Sequence, residues 1–548
     1  MTRFPQTITI GPRTAYLALA ILPLCLLFSI IFFRMQSGPF WQWLNLDPSY
    51  PYLFGALRMA DFSFGKMIEH PGTPLQMLGA LLIKVSNLTL PSADMIRDVL
   101  SDPEKYLTGI SHLTALLNAL ALFALGIVGY GVSRSILPAL LLQSGPFLST
   151  VTIRHAETVA PESLLVFATL VLCCLMVSAL RSGSLDNHRL LYAIGFGLVA
   201  AFGTATKLTF LPITLAPIFL LWTWRSLGIY AVSFSLFFAL FLLPVLPEWG
   251  VMFDWVSGLI FSSGFHGTGE AQTIDLSSYP GKVYKLASRP LFFLSILLSL
   301  FFLLKAWQGK KQGRPAPKLE IQALAGIVTA QIAQILVIAK HATSFYMIPA
   351  FILIGSGFFL LYRLAETFYF TTPKSALRFR KTVTALFGIL VIAQTVGLWE
   401  MTSNHQAMGK RALALDNALF SNCLKIPFTS ASDPDYALHF GSYWNHYSYA
   451  DQLAELKGRE NYWMNVSLEH FNTAEDGPRD WHGLRNLSEI LDENHMPCIF
   501  MRGVNGDIMR KKLAILLPGE KFNEGCSTLN ETVFTQGVDC QGQLTNER

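Results

Sequence analysis

Long apolar segments, each near the length of a membrane-crossing helix, recur along the first 400 residues of this 548-residue chain. A helix needs about 20 predominantly apolar residues to cross the hydrocarbon core of a bilayer. The chain is 52% hydrophobic and 14% charged, whereas a soluble domain usually carries about 25% charged residues. The sequence therefore predicts a polytopic α-helical membrane protein. The formal net charge of +5 is small for this length and does not indicate nucleic-acid binding.

About 11 segments are predicted to cross the membrane, and the first is a retained signal anchor that follows Arg3 and Arg13. The segments are 14–33, 107–130, 135–153, 158–180, 190–206, 208–224, 226–246, 290–306, 320–340, 342–362 and 382–400. Basic residues crowd the loops at 305–318 and 363–381. The positive-inside rule therefore places these loops and the N-terminus in the cytoplasm, and the tail from residue 401 outside it.

The chain divides into a transmembrane domain, residues 1–400, and a soluble extracytoplasmic domain, residues 401–548. In the second domain, strand-like runs at 436–440, 462–466 and 498–501 alternate with helical stretches at 449–457 and 484–494. This alternation predicts a small α/β domain. Two disulfides are possible if the tail faces an oxidising compartment, with the pairing left open. The four tail cysteines are Cys423, Cys498, Cys526 and Cys540.

Two long loops between predicted membrane-crossing segments are expected on the extracytoplasmic side. The first exterior loop, residues 34–106, contains a stretch at 41–76 that is too polar to cross the membrane, and residues 73–90 predict an interfacial helix. Its ionisable residues are costly beside hydrocarbon unless they pair with each other or bind a ligand. The second, residues 247–289, predicts a long lid-like loop over a site.

Three polar turns join predicted spans on the same side of the membrane as Asp47 and His70. They contain Arg154 with Glu157, Lys207, and Lys340 with His341. Each has a simple structural explanation, such as a snorkelling lysine, a helix cap or a local ion pair. Cations on the outer face nevertheless run against the usual charge bias. Together they predict a site for a phosphate or pyrophosphate group at the membrane surface.

These stretches also resemble motifs of the GT-C type membrane glycosyltransferases. NLDPSYPYLFGAL is similar to their first exterior loop, in which an acidic residue is catalytic, and its Asp-Pro-aromatic run resembles that of oligosaccharyltransferase catalytic subunits. IEHPGTPLQMLGALL resembles the His-Pro-Pro-Leu region of protein O-mannosyltransferases and related bacterial enzymes such as aminoarabinose transferases, although Gly72 and Thr73 replace the expected proline and leucine. RHAETVAPESLLVF, GTATKLTFLPI and AKHATSFYMIPA resemble three further segments that face the donor site. The likeness covers roughly residues 15–400.

The resemblance implies a sugar donor linked to polyprenyl phosphate and a glycan, lipid or protein acceptor on the extracytoplasmic side. It implies a GT-C-like fold and an integral protein, in a bacterial inner membrane, with a periplasmic tail. Asp47 would be the general base of an inverting displacement. The residues expected at the donor phosphate are Arg154, Lys207, Lys340 and His341. Those expected to position donor or acceptor are Arg58, Asp61, His70, Glu157 and Tyr346.

No cofactor is assigned with certainty. Asp47, Asp61 and Glu157 are possible oxygen ligands for Mg²⁺ or Mn²⁺, but the lack of an Asp-x-Asp motif favours a metal-independent reaction. Two rival functions use the same charged outer cavity: a transporter or flippase for a lipid-linked or anionic solute, and a surface-glycan polymerase or ligase. Transporters often show two related halves, which this sequence lacks. A scaffold function does not explain the outer-face cations.

Overall fold

A computed structural model describes residues 12–42, 46–68, 71–264, 269–311, 317–370, 372–414, 420, 422–459, 461–465, 477–524, 526–527 and 531–538. The described residues up to Ala414 are largely helical. The helices are α1 (Pro12–Gln36), α2 (Leu46–Ala60), α3 (Thr73–Ser86), α4 (Ser92–Ser101), α5 (Pro103–Ser133), α6 (Ile136–Gln143), α7 (Thr150–Ala156), α8 (Pro161–Ala179), α9 (Ser184–Asn187), α10 (Arg189–Thr206), α11 (Trp224–Leu242), α12 (Trp249–Phe261), α13 (Tyr279–Ala287), α14 (Pro290–Lys311), α15 (Lys318–Ile338), α16 (Ile348–Phe368) and α17 (Pro373–Ala414).

Nine helical stretches in the described part of the chain are long and apolar enough to cross a membrane, so this is a polytopic α-helical membrane protein. Eleven single crossings were expected, and two of them have a different structure. Segment 135–153 is divided into α6 and α7 by a 3₁₀ turn at Gly145–Phe147. Segment 208–224 contains the 3₁₀ helix Leu208–Phe219, with Pro212 and Pro217 inside it. Proline has no backbone N–H and clashes with the preceding turn, which disfavours a continuous α-helix.

The core of the helical bundle forms around α5, α8, α10 and α16. Helix α5 packs against α1, α6 and α8, α10 packs against α8 and α11, and α16 contacts α6, α8, α14 and α15. By contrast, the most apolar window of α17 has no buried residues. Ile392 and Trp399 on α17 are 67% and 72% exposed. Such an apolar face suits contact with lipid tails rather than water.

The first exterior region folds as three helices, α2, α3 and α4, and the helix expected at 73–90 is present as α3. Gly72, with φ +68°, and Pro74 in the first turn mark its start. Helix α2 packs on α3 and on α18 (Pro434–Tyr443) of the tail. A Cβ on Gly441 would lie 2.8 Å from the Phe54 ring, so glycine permits this close contact between α18 and α2.

The region at 247–289 is not the irregular loop that the sequence suggested. After a 3₁₀ segment at Leu243–Glu248, the chain re-enters a helix as α12, and α13 follows the stretch around Asp275. Pro244 and Pro247 interrupt the helix, and an apolar sequence with only Asp254 as a charge allows it to resume. The described part of the region therefore contains two helices, α12 and α13.

The tail from residue 420 is a mixed α/β structure. Its further helices are α19 (Ala450–Lys457), α20 (Leu487–Glu493) and α21 (Gly506–Leu516), and its strands are β1 (Leu424–Lys425), β2 (Trp463–Asn465), β3 (Gly477–Asp480), β4 (Gly483–Leu484), β5 (Ile499–Gly503) and β6 (Thr532–Gln536). One sheet has the order β1-β5-β6, with β1 parallel to β5 and β5 antiparallel to β6. The other is the antiparallel sheet β2-β3-β4.

Most of the expected tail elements are present, but the strand predicted at 436–440 is wrong. These residues lie within α18, whose start is fixed by Asp433, since its Oδ1 accepts a hydrogen bond of 2.7 Å from the Tyr436 backbone N–H. Pro434 follows in the first turn. An aspartate cap followed by proline is a strong start signal for a helix, and the apolar run that followed it obscured this signal.

One disulfide of the tail joins Cys423 to Cys498, which are 75 residues apart in sequence. Cys526 is also disulfide-bonded, and Cys540 lies outside the described residues. Cross-linking distant residues reduces the conformational entropy of the unfolded chain.

We expect the double variant Cys423→Ser/Cys498→Ser to lower the free energy of unfolding of the tail by about 2–4 kcal/mol. Denaturant unfolding of the purified protein, followed by tryptophan fluorescence, measures this change. The control is Cys25→Ser, which alters an exposed free cysteine of α1. Equal unfolding midpoints for the double variant and the parent would contradict the prediction.

Candidate functional site

The three polar turns singled out in the sequence meet at one end of the helical bundle. The Lys207 ammonium lies 2.5 Å from Glu162 Oε1, at the start of α8. It also lies 4.5 Å from the centre of the Tyr346 ring. The His155 ring is 4.8 Å from that of Phe345. The side chains of His155, Glu162, Lys207, Phe345 and Tyr346 therefore form one cluster, which we call the Lys207 cluster.

Lys207 is a buried cation held by a buried carboxylate. The exposed fractions of the Lys207 and Glu162 side chains are 5% and 4%. Burial by itself lowers the pKa of the Lys207 ammonium, but Glu162, Tyr346 and Asp47 together raise that pKa above its usual value. The ammonium is thus protonated at neutral pH. The backbone of Lys207 also pairs with that of Pro71 in an antiparallel bridge, which joins the first exterior region to the cluster.

Asp47 lies at the exposed start of α2, beside this cluster. Its carboxylate acts electrostatically on Lys207 and Tyr346, and on Tyr436 of the tail. The carboxylates of Asp47 and Glu162 therefore both interact electrostatically with the buried ammonium of Lys207.

A cavity of 520 Å³ borders the Lys207 cluster, and we call it the groove. Its polar lining includes Lys207, Lys340, His341 and Tyr346, and its remaining walls are largely apolar. The apolar residues include Val256, Leu259 and Leu211. Ligand sites are commonly apolar clefts of about 300–1,000 Å³ with a few convergent polar groups, and the groove has this character.

The region at 247–289 forms one wall of the groove. Lys340 Nζ donates hydrogen bonds of 2.7 and 2.6 Å to the backbone carbonyls of Leu259 and Ile260, in the last turn of α12. The Tyr279 hydroxyl donates to the Leu336 carbonyl at 2.7 Å and so ties α13 to α15. A lysine near a helix C-terminus stabilises the last carbonyls. Lys340 therefore caps α12 and lines the groove at the same time.

Glu157 does not join the Lys207 cluster. Its carboxylate forms a buried ion pair of 2.8 Å with Arg34 of α1 and accepts a bond of 3.1 Å from Ser37. Burial raises the pKa of Glu157, and the Arg34 guanidinium opposes this rise. The local ion pair of Arg154 with Glu157, one of the simple structural explanations of this turn, is replaced by this long-range pair with Arg34. Glu157 thus fastens the end of α1 to the turn after α7.

The other predicted positioning residues have separate surroundings. Arg58 donates hydrogen bonds to the Phe64 carbonyl at 2.8 Å and to Ser448 Oγ of the tail at 2.7 Å. Asp61 accepts a hydrogen bond from Ser92. Arg154, which was expected at the donor phosphate, is exposed and acts electrostatically on His155 and Glu157, but it is not among the described residues that line the groove. His70 lies outside the described residues.

The three carboxylates considered as possible metal ligands do not form a joint site. Glu157 is ion-paired with Arg34, and Asp61 accepts a hydrogen bond from Ser92. Across the described residues, no three His, Cys, Asp or Glu side chains are grouped closely enough to hold a metal ion. No reaction step is therefore assigned to a divalent cation.

Two residues of the candidate site, Glu162 and Trp255, were not predicted from the sequence. Glu162 holds Lys207, and Trp255 of α12 lines the groove. Glu162 follows Pro161 at the start of α8, where a carboxylate is favoured by the helix dipole, so its position gave a usable signal. No sequence signal marked Trp255, because its place in the groove wall depends on the tertiary position of α12.

An aromatic cluster surrounds His439 in the tail. The imidazole of His439 is 1% exposed and stacks on Trp463 at 4.2 Å, with Trp481 nearby. Neither ring nitrogen has a hydrogen-bond partner within the described part of the chain. Burial, with a smaller contribution from Arg479, lowers the pKa of His439 to about 3.

This buried imidazole predicts acid sensitivity of the tail. In the unfolded chain the pKa of histidine returns to about 6.5. Below that pH the unfolded chain binds a proton that the folded tail excludes until the pH nears 3. The free energy of unfolding is therefore highest above pH 6.5 and falls as the pH is lowered towards 3. Between pH 7.5 and 5 we expect His439 to account for a loss of about 2 kcal/mol in unfolding free energy. Denaturant unfolding of the protein and of His439→Phe at both pH values measures this contribution.

The variant His439→Phe should show a correspondingly weaker dependence of unfolding free energy on pH. His495→Phe, at an exposed position of the same tail, serves as the control and should retain the parent's dependence. If His439→Phe and the parent lose the same stability between the two pH values, His439 is not responsible.

Comparison with protein-family models and with the sequences of curated proteins finds no match to this chain.

Proposed function

We propose that this protein is a GT-C type membrane glycosyltransferase. It transfers a sugar from a polyprenyl-phosphate donor to an acceptor on the extracytoplasmic side, and Asp47 is the general base. The observation that carries the proposal is the groove, where Lys207, Lys340, His341 and Tyr346 converge in largely apolar walls, with the Asp47 carboxylate acting electrostatically on Lys207.

The groove suits a ligand with an anionic head and an apolar tail. Lys207 and Lys340 supply positive charge, and Val256, Leu259 and Val337 offer apolar surface. An ammonium has three N–H donors, and Lys340 uses two of them on the α12 carbonyls. Its third donor, together with Lys207, is suited to phosphate oxygens.

The reaction is a single displacement at the anomeric carbon. The acceptor oxygen forms a bond to that carbon while the bond from the carbon to the phosphate oxygen breaks, and its electron pair leaves with the polyprenyl phosphate. Asp47 takes the acceptor proton. Fixed cations stabilise the charge that develops on the leaving phosphate, and they do so more strongly in a water-poor site than in bulk water. One displacement inverts the anomeric configuration.

The charges at the two ends of the bundle support the proposed orientation. Arg363, at the end of α16, pairs with Glu320, at the start of α15, at 2.7 Å. Lys340 and Tyr346 lie beyond the other ends of these helices, about 30 Å away for a helix of this length. Lys318 and Arg363, from the described parts of the two basic loops, both lie at this end of the bundle, which supports a cytoplasmic location for it. The Cys423–Cys498 disulfide supports an oxidising, extracytoplasmic environment for the tail.

The direct test is a donor screen with the full-length protein in lipid nanodiscs. Undecaprenyl-phosphate-linked hexoses and pentoses are supplied with a crude extract of cell-envelope acceptors, and release of undecaprenyl phosphate is followed. We expect release from at least one donor, dependent on the acceptor fraction. If no donor in the panel is consumed, the transferase proposal is wrong.

A bulky residue in the groove separates donor binding from general damage. Val337 lines the groove, so Val337→Trp would fill part of its volume. The substitution should raise the KM for the lipid donor by about tenfold or more, which corresponds to a loss of roughly 1.4 kcal/mol of binding free energy. Ile332→Trp is the matched control, since Ile332 is 38% exposed on the same helix, α15. Equal KM values in the two variants would argue against the groove as the donor site.

A further inference from the structure

A second cavity, of 490 Å³, lies between the first exterior region, α12 and the tail. Lys66 to Ile68 and Val251 line one side of it. The end of α18 and the turn after it line the other side, together with Arg479 of β3. This cavity is distinct from the groove because the two share no lining residue.

The second cavity combines aromatic rings with basic groups. Tyr443, Trp444, His446 and Tyr447 contribute four rings, and none of its described lining residues is acidic. The Arg479 guanidinium lies 5.1 Å from the Tyr443 ring centre, and its Nη1 donates to the Tyr447 hydroxyl at 2.6 Å. Arg479 is 5% exposed, so its charge is fixed in the cavity wall.

The backbone around the second cavity is held in an unfavourable conformation. His446 and Tyr447 have φ of 56° and 55°, in the left-handed region that non-glycine residues rarely adopt. The turn is fastened by Asn445, whose Nδ2 donates to the Pro51 carbonyl of α2 at 3.0 Å. Backbone strain of this kind concentrates at ligand sites, where the surrounding structure enforces it. Here it presents two successive aromatic rings to the cavity.

The second cavity is connected to the groove through shared elements. Val251 lines the second cavity, and Trp255, four residues along α12, lines the groove. That spacing is about 6 Å along a helix. Lys66, in the second cavity, is ion-paired at 2.5 Å with Glu248, just before α12. Asp47 acts electrostatically on Lys207 of the groove and on Tyr436 at the start of α18.

We propose that the second cavity binds the acceptor, and that the acceptor is an anionic saccharide. This inference rests on the proposed glycosyltransferase function. Aromatic faces suit the apolar faces of sugar rings, and Arg479 and Lys66 suit a carboxylate or phosphate substituent. The acceptor hydroxyl extends from this cavity towards Asp47, which takes its proton as the sugar is transferred.

The test is calorimetric binding to the full-length protein in nanodiscs, without donor. The probes are a glucuronic-acid-containing disaccharide, glucose 6-phosphate, inorganic phosphate and the neutral disaccharide cellobiose. We expect one or both anionic sugars to bind at least tenfold more tightly than cellobiose and than inorganic phosphate. The preferred anion identifies whether a carboxylate or a phosphate is recognised. Equal binding of anionic and neutral sugars, or no binding, overturns the proposal.

Variants assign that binding to the second cavity. Lys66→Met and Trp444→Leu should each weaken binding of the anionic sugar by about fivefold or more. The matched controls are Lys105→Met, which alters an exposed exterior ion pair with Asp98, and Trp399→Leu on the lipid-facing side of α17. Unchanged affinity in both test variants overturns the proposal.

The two proposals fail separately. Sugar transfer without binding of anionic saccharides here leaves the transferase function intact and removes the acceptor site. Binding that is lost in Lys66→Met and Trp444→Leu, without consumption of any lipid donor, leaves a saccharide site in a protein with another function, and it excludes an acceptor role.

Discussion

Asp47→Asn is expected to lower kcat for sugar transfer by about 10²–10⁴-fold, the usual contribution of a general base. The amide has nearly the same shape as the carboxylate but cannot take the acceptor proton. Donor affinity should be retained, because the groove that holds the donor is lined by other residues. Steady-state kinetics with the donor found in the screen, together with equilibrium binding of that donor, measure both quantities.

The control for this substitution is Asp94→Asn, which makes the same chemical change at an exposed position of α4. Its kcat should equal that of the parent. If Asp47→Asn retains full turnover, Asp47 is not the base. If it loses donor affinity by the same factor as kcat/KM, its role is binding rather than proton transfer.

The second large effect is expected at Lys207. Lys207→Met removes the partner of a buried carboxylate, Glu162, which is only 4% exposed. Breaking one half of a buried ion pair commonly costs about 3–5 kcal/mol, because a desolvated charge is left without compensation. The variant should therefore unfold at markedly lower temperature in detergent, and it should also lose sugar transfer.

The double variant Lys207→Met/Glu162→Gln separates these two losses. It leaves no buried charge, so most of the stability should return, whereas transfer should stay low because the cation facing the donor phosphate is absent. Recovery of turnover together with stability would show that Lys207 is only structural.

A matched pair in the tail provides the control for the double variant. Arg502 and Glu531 are as deeply buried, at 3% and 0% exposed, and lie 2.5 Å apart. Arg502→Met should destabilise the tail, and Arg502→Met/Glu531→Gln should restore much of that stability. Transfer measured on the folded double variant should match that of the parent.

Local signals in the sequence were sufficient for much of the secondary structure. The apolar runs that became α5, α8 and α16 are long and continuous, and their length alone predicts a crossing helix. The helix α3 and the strand β5 were likewise predicted near their observed positions. Where prolines cluster, as at Pro212 and Pro217, the run formed a 3₁₀ helix instead, since proline removes backbone donors.

The errors arose where a local pattern was ambiguous. The run at 436–440 is short and apolar, and only the Asp433 cap distinguishes its helix from a strand. The region at 247–289 contains enough glycine and polar residues to suggest a loop, yet its first part, an apolar stretch in which Asp254 is the one charged residue, is the helix α12. Short apolar runs are compatible with either structure, and tertiary contacts decide between them.

The sequence by itself determined that this chain is a polytopic helical membrane protein, because hydrophobic length is a local property that needs no partner. It also marked Lys207, Lys340 and His341 as unusual, since charge beside hydrocarbon is costly wherever it occurs. Only the tertiary structure decided which charges meet: Lys207 pairs with Glu162, whereas Glu157 pairs with Arg34, 123 residues away. Pairing depends on distances between remote helices, and no local pattern specifies those distances.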